Sequence, residues 1–268
     1  MQVLAPTVRP MDSQDYPWYD SVWLSAFERA RQTVQRVAPK RAEDFERAFD
    51  VFRTRDDFKV RLFQSVFDDA TCEEIRRIAG ALSPAQLELH EARTFKRFVV
   101  HDHPVFTQLQ LRVTDMVSEA AGEPVEACYN FLSLYGPQGV CPLHLDAPLA
   151  KWTLDFCIDQ SDAWPIHFSP VVPWPRPGDY GADWEARIKG EVGPDFVSFS
   201  LQPGQAILFS GSSQWHYRDV MPGTRAKKFC DLLFFHFIPR GTSELADPAN
   251  WARLFDIPEL QQDGQAAA

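Results

Sequence analysis

The feature of this 268-residue sequence that most constrains its fold is a change of texture at Gly122. Before it, apolar residues recur at three- and four-residue spacing. After it they come in short alternating runs rich in Val, Phe, Tyr and Thr, cut by Gly and Pro. The first pattern builds amphipathic helices, and the second builds a sandwich or barrel of short strands. Val22–Val37 places Trp23, Phe27, Ala30, Val34 and Val37 on one face, and Ala42–Phe52 repeats the pattern with Phe45, Phe49 and Phe52. Asp68-Asp-Ala-Thr-Cys-Glu-Glu supplies a capping residue and early acids ahead of Ile75, Ile78 and Leu82, so a third helix is expected there. A fourth begins near Asp102-His-Pro, with Pro104 in its first turn, and runs to about Ala121-Gly122.

Strands are expected at Ala127–Tyr135, Val140–Leu145, Trp152–Ile158, Ile166–Phe168, Phe196–Leu201, Ala206–Phe209 and Phe229–Ile238. The organisation expected is a helical region over 1–122 packed on a core, a core over 123–240 and a C-terminal segment over 241–268, whose tail Gln261–Ala268 frays. A Pro- and Trp-rich insertion at about 162–195 contains Pro170, Pro173, Pro175, Trp174, Tyr180 and Trp184. It suits either a lid over a binding site or a surface crossover covering one edge of the sandwich.

Composition narrows the class. A chain 45% hydrophobic with only 13 Gly is neither disordered nor collagen-like, and at this length it buries a sizeable core without staples. A net charge of −10 argues against a nucleic-acid partner, because phosphate binding relies on clustered Lys and Arg. Cys72, Cys128, Cys141, Cys157 and Cys230 are scattered and odd in number, which suits reduced, buried thiols rather than a disulfide framework or zinc ribbon. The start lacks a basic stretch followed by an apolar one, and no apolar run is long enough to span a bilayer. A cytoplasmic location without a membrane partner is the expectation; the oligomeric state is not legible.

Among seven histidines, one begins the sequence's one His-x-Asp, His144-Leu-Asp146. Residues two apart on a strand share a face, so imidazole and carboxylate can grip one metal ion. Alone the triplet says little, since chance supplies it often in a chain this long. Downstream, however, Leu201-Gln-Pro-Gly-Gln-Ala-Ile-Leu-Phe209 reads as a Gly turn and an apolar strand, followed by a polar loop and His216. Arg225, in Gly223-Thr-Arg225, then leads into the apolar run Phe229–Phe237. Two imidazoles and one carboxylate leave three positions open on Fe(II), room for a chelating co-substrate and oxygen. A cation on the next strand suits a buried carboxylate.

Tyr135-Gly-Pro-Gln-Gly-Val-Cys-Pro-Leu-His144-Leu-Asp146, Gln202–Phe209, His216 and Gly223-Thr-Arg225 together resemble the iron(II)/2-oxoglutarate-dependent oxygenases, most nearly the prolyl 4-hydroxylase-like branch. The resemblance covers about residues 125–240. It implies a double-stranded β-helix (jelly roll), mainly β with α, with N-terminal helices outside the major sheet. It makes His144, Asp146 and His216 the iron ligands and Arg225 the partner of the distal carboxylate of 2-oxoglutarate. Lys227 is the reserve cation, and Tyr135 lines the co-substrate pocket. The activity implied uses Fe(II), 2-oxoglutarate and O2, releases succinate and CO2, and oxidises an unactivated C–H bond. With Asp146 present the outcome expected is hydroxylation, or desaturation or cyclisation, rather than halogenation. A small molecule (an amino acid or natural-product intermediate) is the substrate favoured; a peptide is the alternative. The rival readings are a cupin-like metal enzyme without 2-oxoglutarate, which leaves Arg225 without a role, and a non-catalytic jelly-roll binding module.

The other histidines have plainer expectations. His101-Asp-His103 lies at a helix start, where such residues cap; His236 sits on the last strand, in the core or behind the metal ligands; His167 is an ordinary strand residue and His90 is exposed. Alternation sets Trp152 opposite Thr153 and Asp155 without saying which set faces inward. Arg218-Asp219 suits either a local ion pair or a substrate contact.

Overall fold

A computed structural model describes residues 16–222 and 227–261. Among these, β1 (Arg61–Phe63), β8 (Ala206–Phe209), β5 (Trp152–Gln160), β10 (Cys230–Pro239), β3 (Val125–Tyr135) and β2 (Arg97–His101) form, in that order, a six-stranded antiparallel sheet. Facing it, β4 (Cys141–His144), β9 (Gln214–Arg218), β6 (Ile166–Val171) and β7 (Val197–Phe199) form a four-stranded antiparallel sheet. The architecture is a jelly roll.

Strand alternation sorts β10 in two. Leu233, Phe235 and Phe237 point outward into a core shared with α3 (Asp69–Ala81) and α4 (Pro104–Ala121). Cys230, Leu232 and Phe234 point into the barrel, with Ile207, Phe209 and Phe168. Helix α4 starts on Pro104 and stops at Gly122, whose φ of 76° is the left-handed conformation a helix C-terminus favours. Its apolar stripe carries one polar residue, Gln110, whose Nε2 donates to the carbonyls of Tyr129 (2.9 Å) and His236 (2.7 Å). Those carbonyls lie where the β3–β10 register slips between His236 and Phe237, so Gln110 satisfies groups that the irregular ladder leaves unpaired.

Helices α3 and α4 pack outside the major sheet, as expected. Helices α1 (Val22–Val37) and α2 (Ala42–Ala48) instead join a core with Leu143, Leu145 and Trp215, on the outer face of the minor sheet. That core takes in α6 (Ser243–Ala246) and α7 (Trp251–Leu254): the indole N–H of Trp23 donates to the carbonyl of Ala246 at 2.7 Å, and Trp251 stands edge-on to Trp23 and Phe49. The four helices expected upstream of Gly122 are present, with Phe49–Phe52 a 3-10 continuation of α2. Two strands in that region were not foreseen, and both belong to the major sheet. β1 pairs with β8 and β2 with β3, so 1–122 is not only a helical layer on the core.

The segment expected as an insertion at about 162–195 contains β6, so the irregular connection runs from residue 172, through α5 (Trp184–Glu191), to residue 196. Its Trp174 stands edge-on to Trp23 and Phe27, and Tyr180 and Trp184 surround Trp18 and Trp215. It therefore covers the outside of the minor sheet rather than closing over the inner face. No helix among the described residues is long and apolar enough to cross a membrane.

Candidate metal centre

Strands β4 and β9 run antiparallel with His144 and His216 as direct partners, which sets the two imidazoles side by side, ring centroids 4.1 Å apart. Each ring is aimed by its own strand: Nδ1 of His144 donates to the carbonyl of Pro142 (2.8 Å), and Nδ1 of His216 to that of Gln214 (2.9 Å). Because a carbonyl only accepts, Nδ1 holds the proton and Nε2 is left for a ligand. Asp146 follows His144 by two residues, and its Oδ1 lies 3.3 Å from Nε2 of His144 and 3.7 Å from Nε2 of His216. The three donor atoms all lie within 4.8 Å of one another, the one such cluster among the described residues. Two imidazole nitrogens and a carboxylate oxygen on one face fit octahedral Fe(II) with three positions open.

The carboxylate is held from several sides. The peptide N–H of Asp146 donates to the carbonyl of Gly211 (2.9 Å), and the N–H of Gly211 donates to the backbone carbonyl of Lys151 (3.1 Å). Gly211 is obligatory here: a Cβ on it would lie 2.1 Å from Oδ2 of Asp146 and 2.6 Å from the carbonyl oxygen of Ala150. Thr153 Oγ1 lies 3.4 Å from Oδ2 of Asp146 and 3.0 Å from Nδ1 of His236, so Thr153 and Asp155 face inward and Trp152 packs outward on Phe58. The N–H of Ala147 donates to the carboxylate of Asp20 (2.8 Å), which ties the chain before α1 to the loop after Asp146.

Burial works against every charge in this cluster, and pairing decides the outcome. Burial raises Asp146, yet the His216 and His144 imidazoles hold its carboxyl well below the usual range. Burial and the charge on His144 push His216 down to about 4. His144, despite burial, is pushed well up by Cys141 and Asp146. In the metal-free protein one proton therefore belongs to His144, and a divalent cation must displace it. Burial, then the Asp146 charge, pushes Asp20 up to about 7.

Of the residues expected in the co-substrate pocket, Tyr135 faces inward, fully buried, its hydroxyl oxygen accepting from Nη1 of Arg97 at 2.7 Å. Arg225 lies outside the described residues, and Lys227 is exposed in the turn before β10. His236 points inward against Tyr129 (ring centroids 4.2 Å apart), and burial pushes it down to about 3, so it is a neutral imidazole. His101 pairs with Glu88 on β2 rather than capping a helix, His103 occupies the position before α4 without a capping bond, and His167 stacks on Tyr217 outside the barrel. Arg218 pairs with Asp155 at 2.7 Å, not with Asp219. Sequence reasoning missed Arg97, Asp20 and Gly211, and for Arg218 it left an ion pair with Asp219 and a substrate contact open without foreseeing Asp155. Alternation from His216 could have found Arg218; nothing local marks the others.

No protein-family profile matches the chain, and no curated protein matches it in sequence. Solved structures do match in shape. The carbocyclase SnoK from nogalamycin biosynthesis, described as non-heme and alpha-ketoglutarate-dependent, superposes with a TM-score of 0.54 at 11% identity, over 74% of this chain and 89% of its own. EctD from S. alaskensis, solved with 2-oxoglutarate and 5-hydroxyectoine, gives 0.51 at 15% identity, over 88% and 81%. HygX from Streptomyces hygroscopicus, with nickel and 2-oxoglutarate bound, gives 0.50 at 13% identity, over 73% and 86%. The chain has the fold of the iron(II)/2-oxoglutarate oxygenases. The narrower likeness to the prolyl 4-hydroxylase-like branch rests on the sequence motifs alone. His144, Asp146 and His216 face the space between the barrel's two sheets, where Phe168 and Phe209 pack against the His216 ring.

Proposed function

We propose that the protein is an Fe(II)- and 2-oxoglutarate-dependent dioxygenase that hydroxylates a C–H bond of a small molecule. The observation that carries this reading is the convergence of Nε2 of His144, Oδ1 of Asp146 and Nε2 of His216 on one point inside a jelly roll of the oxygenase fold. His144, Asp146 and His216 would hold the iron. When bound, iron with 2-oxoglutarate supplies activation of O2, coupled to decarboxylation of the co-substrate to succinate and CO2. The chain's own part is positional. Gln214 and Pro142 fix the imidazole tautomers, Thr153 and Gly211 fix the carboxylate, and the aromatic interior excludes water so that oxidation falls on the substrate. Tyr135 lines the co-substrate's side of the site. Arg225 and Lys227 are the cations the motif nominates for its far carboxylate.

A small-molecule substrate agrees with neighbours of the same fold, since EctD was solved with 5-hydroxyectoine and SnoK serves nogalamycin biosynthesis. Stacked on the inner face, Tyr129, Phe131, Phe234 and His236 give such a substrate a flat wall. An anaerobic titration of metal-free protein with Fe(II), then 2-oxoglutarate, tests the reading through the visible charge-transfer band of the chelate. A band in the wild type that is lost in His144→Ala is the expected result. Metal binding without a band would favour the cupin-like alternative, and no metal binding would favour a non-catalytic module.

A further inference from the structure

Asp20 stands in the turn before α1 in the left-handed conformation, φ 67°, which residues other than Gly rarely adopt and Asp tolerates. The turn is pinned on both sides of it: Ser21 Oγ donates to the carbonyl of Trp18 (2.8 Å), and the Tyr19 hydroxyl donates to Glu91 (2.6 Å). Backbone held in a sparsely populated region by its surroundings points to a side chain placed for a task. Oδ2 of Asp20 accepts from the N–H of Ala147, one residue past Asp146, and Oδ1 meets no donor among the described residues.

The neighbouring interior acids are matched. Glu91 pairs with Arg97, Asp155 pairs with Arg218, and Asp146 belongs to the metal cluster. Asp20 has no cation within ion-pair distance among the described residues. Burial, then the Asp146 charge, holds its carboxyl high, as befits an acid without a partner. A bound divalent ion does not supply that partner, because Asp146 and a dicarboxylate co-substrate already match its charge. Lys227 and Lys228 lead into β10 at Cys230, about 20 Å along that strand from His236.

The groups around this carboxylate are aromatic. The Tyr129 hydroxyl is pushed well up by burial and then by the charges of Asp20 and Asp146, which places it near both. Its ring stacks on His236, whose Nε2 is buried without a partner at 3% exposure of the residue. Phe131 and Phe234 continue the wall, ring centroids 4.8 Å apart. Aromatic faces attract cations, and so does an unmatched carboxylate. A net charge of −10 steers the same kind of ligand towards the protein.

Resting on the oxygenase reading, we propose that the substrate is an amine, cationic at neutral pH, whose ammonium group is taken by Asp20 and the Tyr129 hydroxyl while its carbon skeleton lies against Phe131, Phe234 and His236. Asp20 is then the residue that sets specificity. It reaches the metal cluster from the N-terminal segment, outside the strands that carry His144, Asp146 and His216, and its bond to Ala147 fixes the ammonium at a set place relative to the metal.

The test uses matched probes that differ in one group: benzylamine against benzyl alcohol, and cyclohexylmethylamine against cyclohexylmethanol. Each is titrated by calorimetry, without oxygen, into protein loaded with Fe(II) and 2-oxoglutarate, and the shift of the visible charge-transfer band reports arrival beside the metal. In the wild type each amine should bind roughly thirtyfold more tightly than its alcohol. Asp20→Asn keeps an acceptor for the N–H of Ala147 and tolerates the left-handed backbone, so only the charge is lost. It should bring the amines down to the level of the alcohols while the chelate band still forms. Tyr129→Phe should cost the amines about tenfold. Amines that bind no better than their alcohols overturn the proposal, and that comparison stands on the wild type even if Asp20→Asn fails to fold. An amine preference that survives Asp20→Asn overturns it too. Both results leave the oxygenase reading in place wherever the chelate band forms; a wild type that forms no band with Fe(II) and 2-oxoglutarate overturns that reading instead.

Discussion

Gly211→Ala adds a single methyl group and should disable the metal centre. Its Cβ would lie 2.1 Å from Oδ2 of Asp146 and 2.6 Å from the carbonyl oxygen of Ala150. An ordinary carbon-to-oxygen approach begins at about 3.3 Å, so the carboxylate oxygen must retreat by about 1.2 Å and the carbonyl by about 0.7 Å. Residue 211 itself cannot move aside cheaply, because its carbonyl accepts from the N–H of Asp146 and its N–H donates to the carbonyl of Lys151. The carboxylate is the part that can turn, and turning breaks its contact with Thr153 and swings Oδ1 off the line to the two imidazoles. A metal ligand tolerates only about 0.2 Å of error, so affinity for Fe(II) should fall at least about a hundredfold. The fold should lose only about 1–3 kcal/mol, the usual cost of overpacking, which lowers Tm by roughly 3–10 °C. Anaerobic Fe(II) titration and a melting curve separate the two effects. Wild-type metal affinity in Gly211→Ala, with an unchanged Tm, would refute the account of how Asp146 is held.

Three further outcomes follow from the same contacts. Metal binding must displace the proton that Asp146 and Cys141 hold on His144, so apparent affinity should rise with pH, by up to tenfold per unit, until the raised pKa of His144 is passed; calorimetry in buffers of different ionisation enthalpy should count about one proton released. Asp231 and Asp159 are partners on β10 and β5, and burial followed by the Asp159 charge pushes Asp231 up to about 7. The folded state then binds a proton that the unfolded state has already lost, so stability falls as pH rises from about 4 to about 7; Asp231→Asn should flatten that slope in denaturant titrations and raise stability by about 1 kcal/mol above it. Gln110→Leu, which strands the carbonyls of Tyr129 and His236, should cost about 1–3 kcal/mol by urea unfolding although it makes α4 more apolar.

Elements whose code lies within one turn or one strand can be read from neighbouring residues alone. The apolar spacing of Val22–Val37, the Pro104 start and Gly122 stop of α4, and the alternation of β3, β5 and β10 are all written in neighbouring residues. The cluster of His144, Asp146 and His216 was legible for the same reason, His144 and Asp146 sharing one strand face and His216 closing an ordered set of motifs. β1 and β2 were not, because three and five residues hold too little periodicity, and what makes them strands is pairing with partners far along the chain. Arg61 pairs with Leu208, and Arg97 with Tyr135. Which face of β5 looks inward, that His144 stands directly opposite His216, and that Gly211 must lack a side chain all depend on contacts between distant segments. Such contacts alone bring the guanidiniums of Arg97 and Arg218 to one tyrosine, since the energy of a buried charge depends on what surrounds it in space and not on its neighbours in the chain.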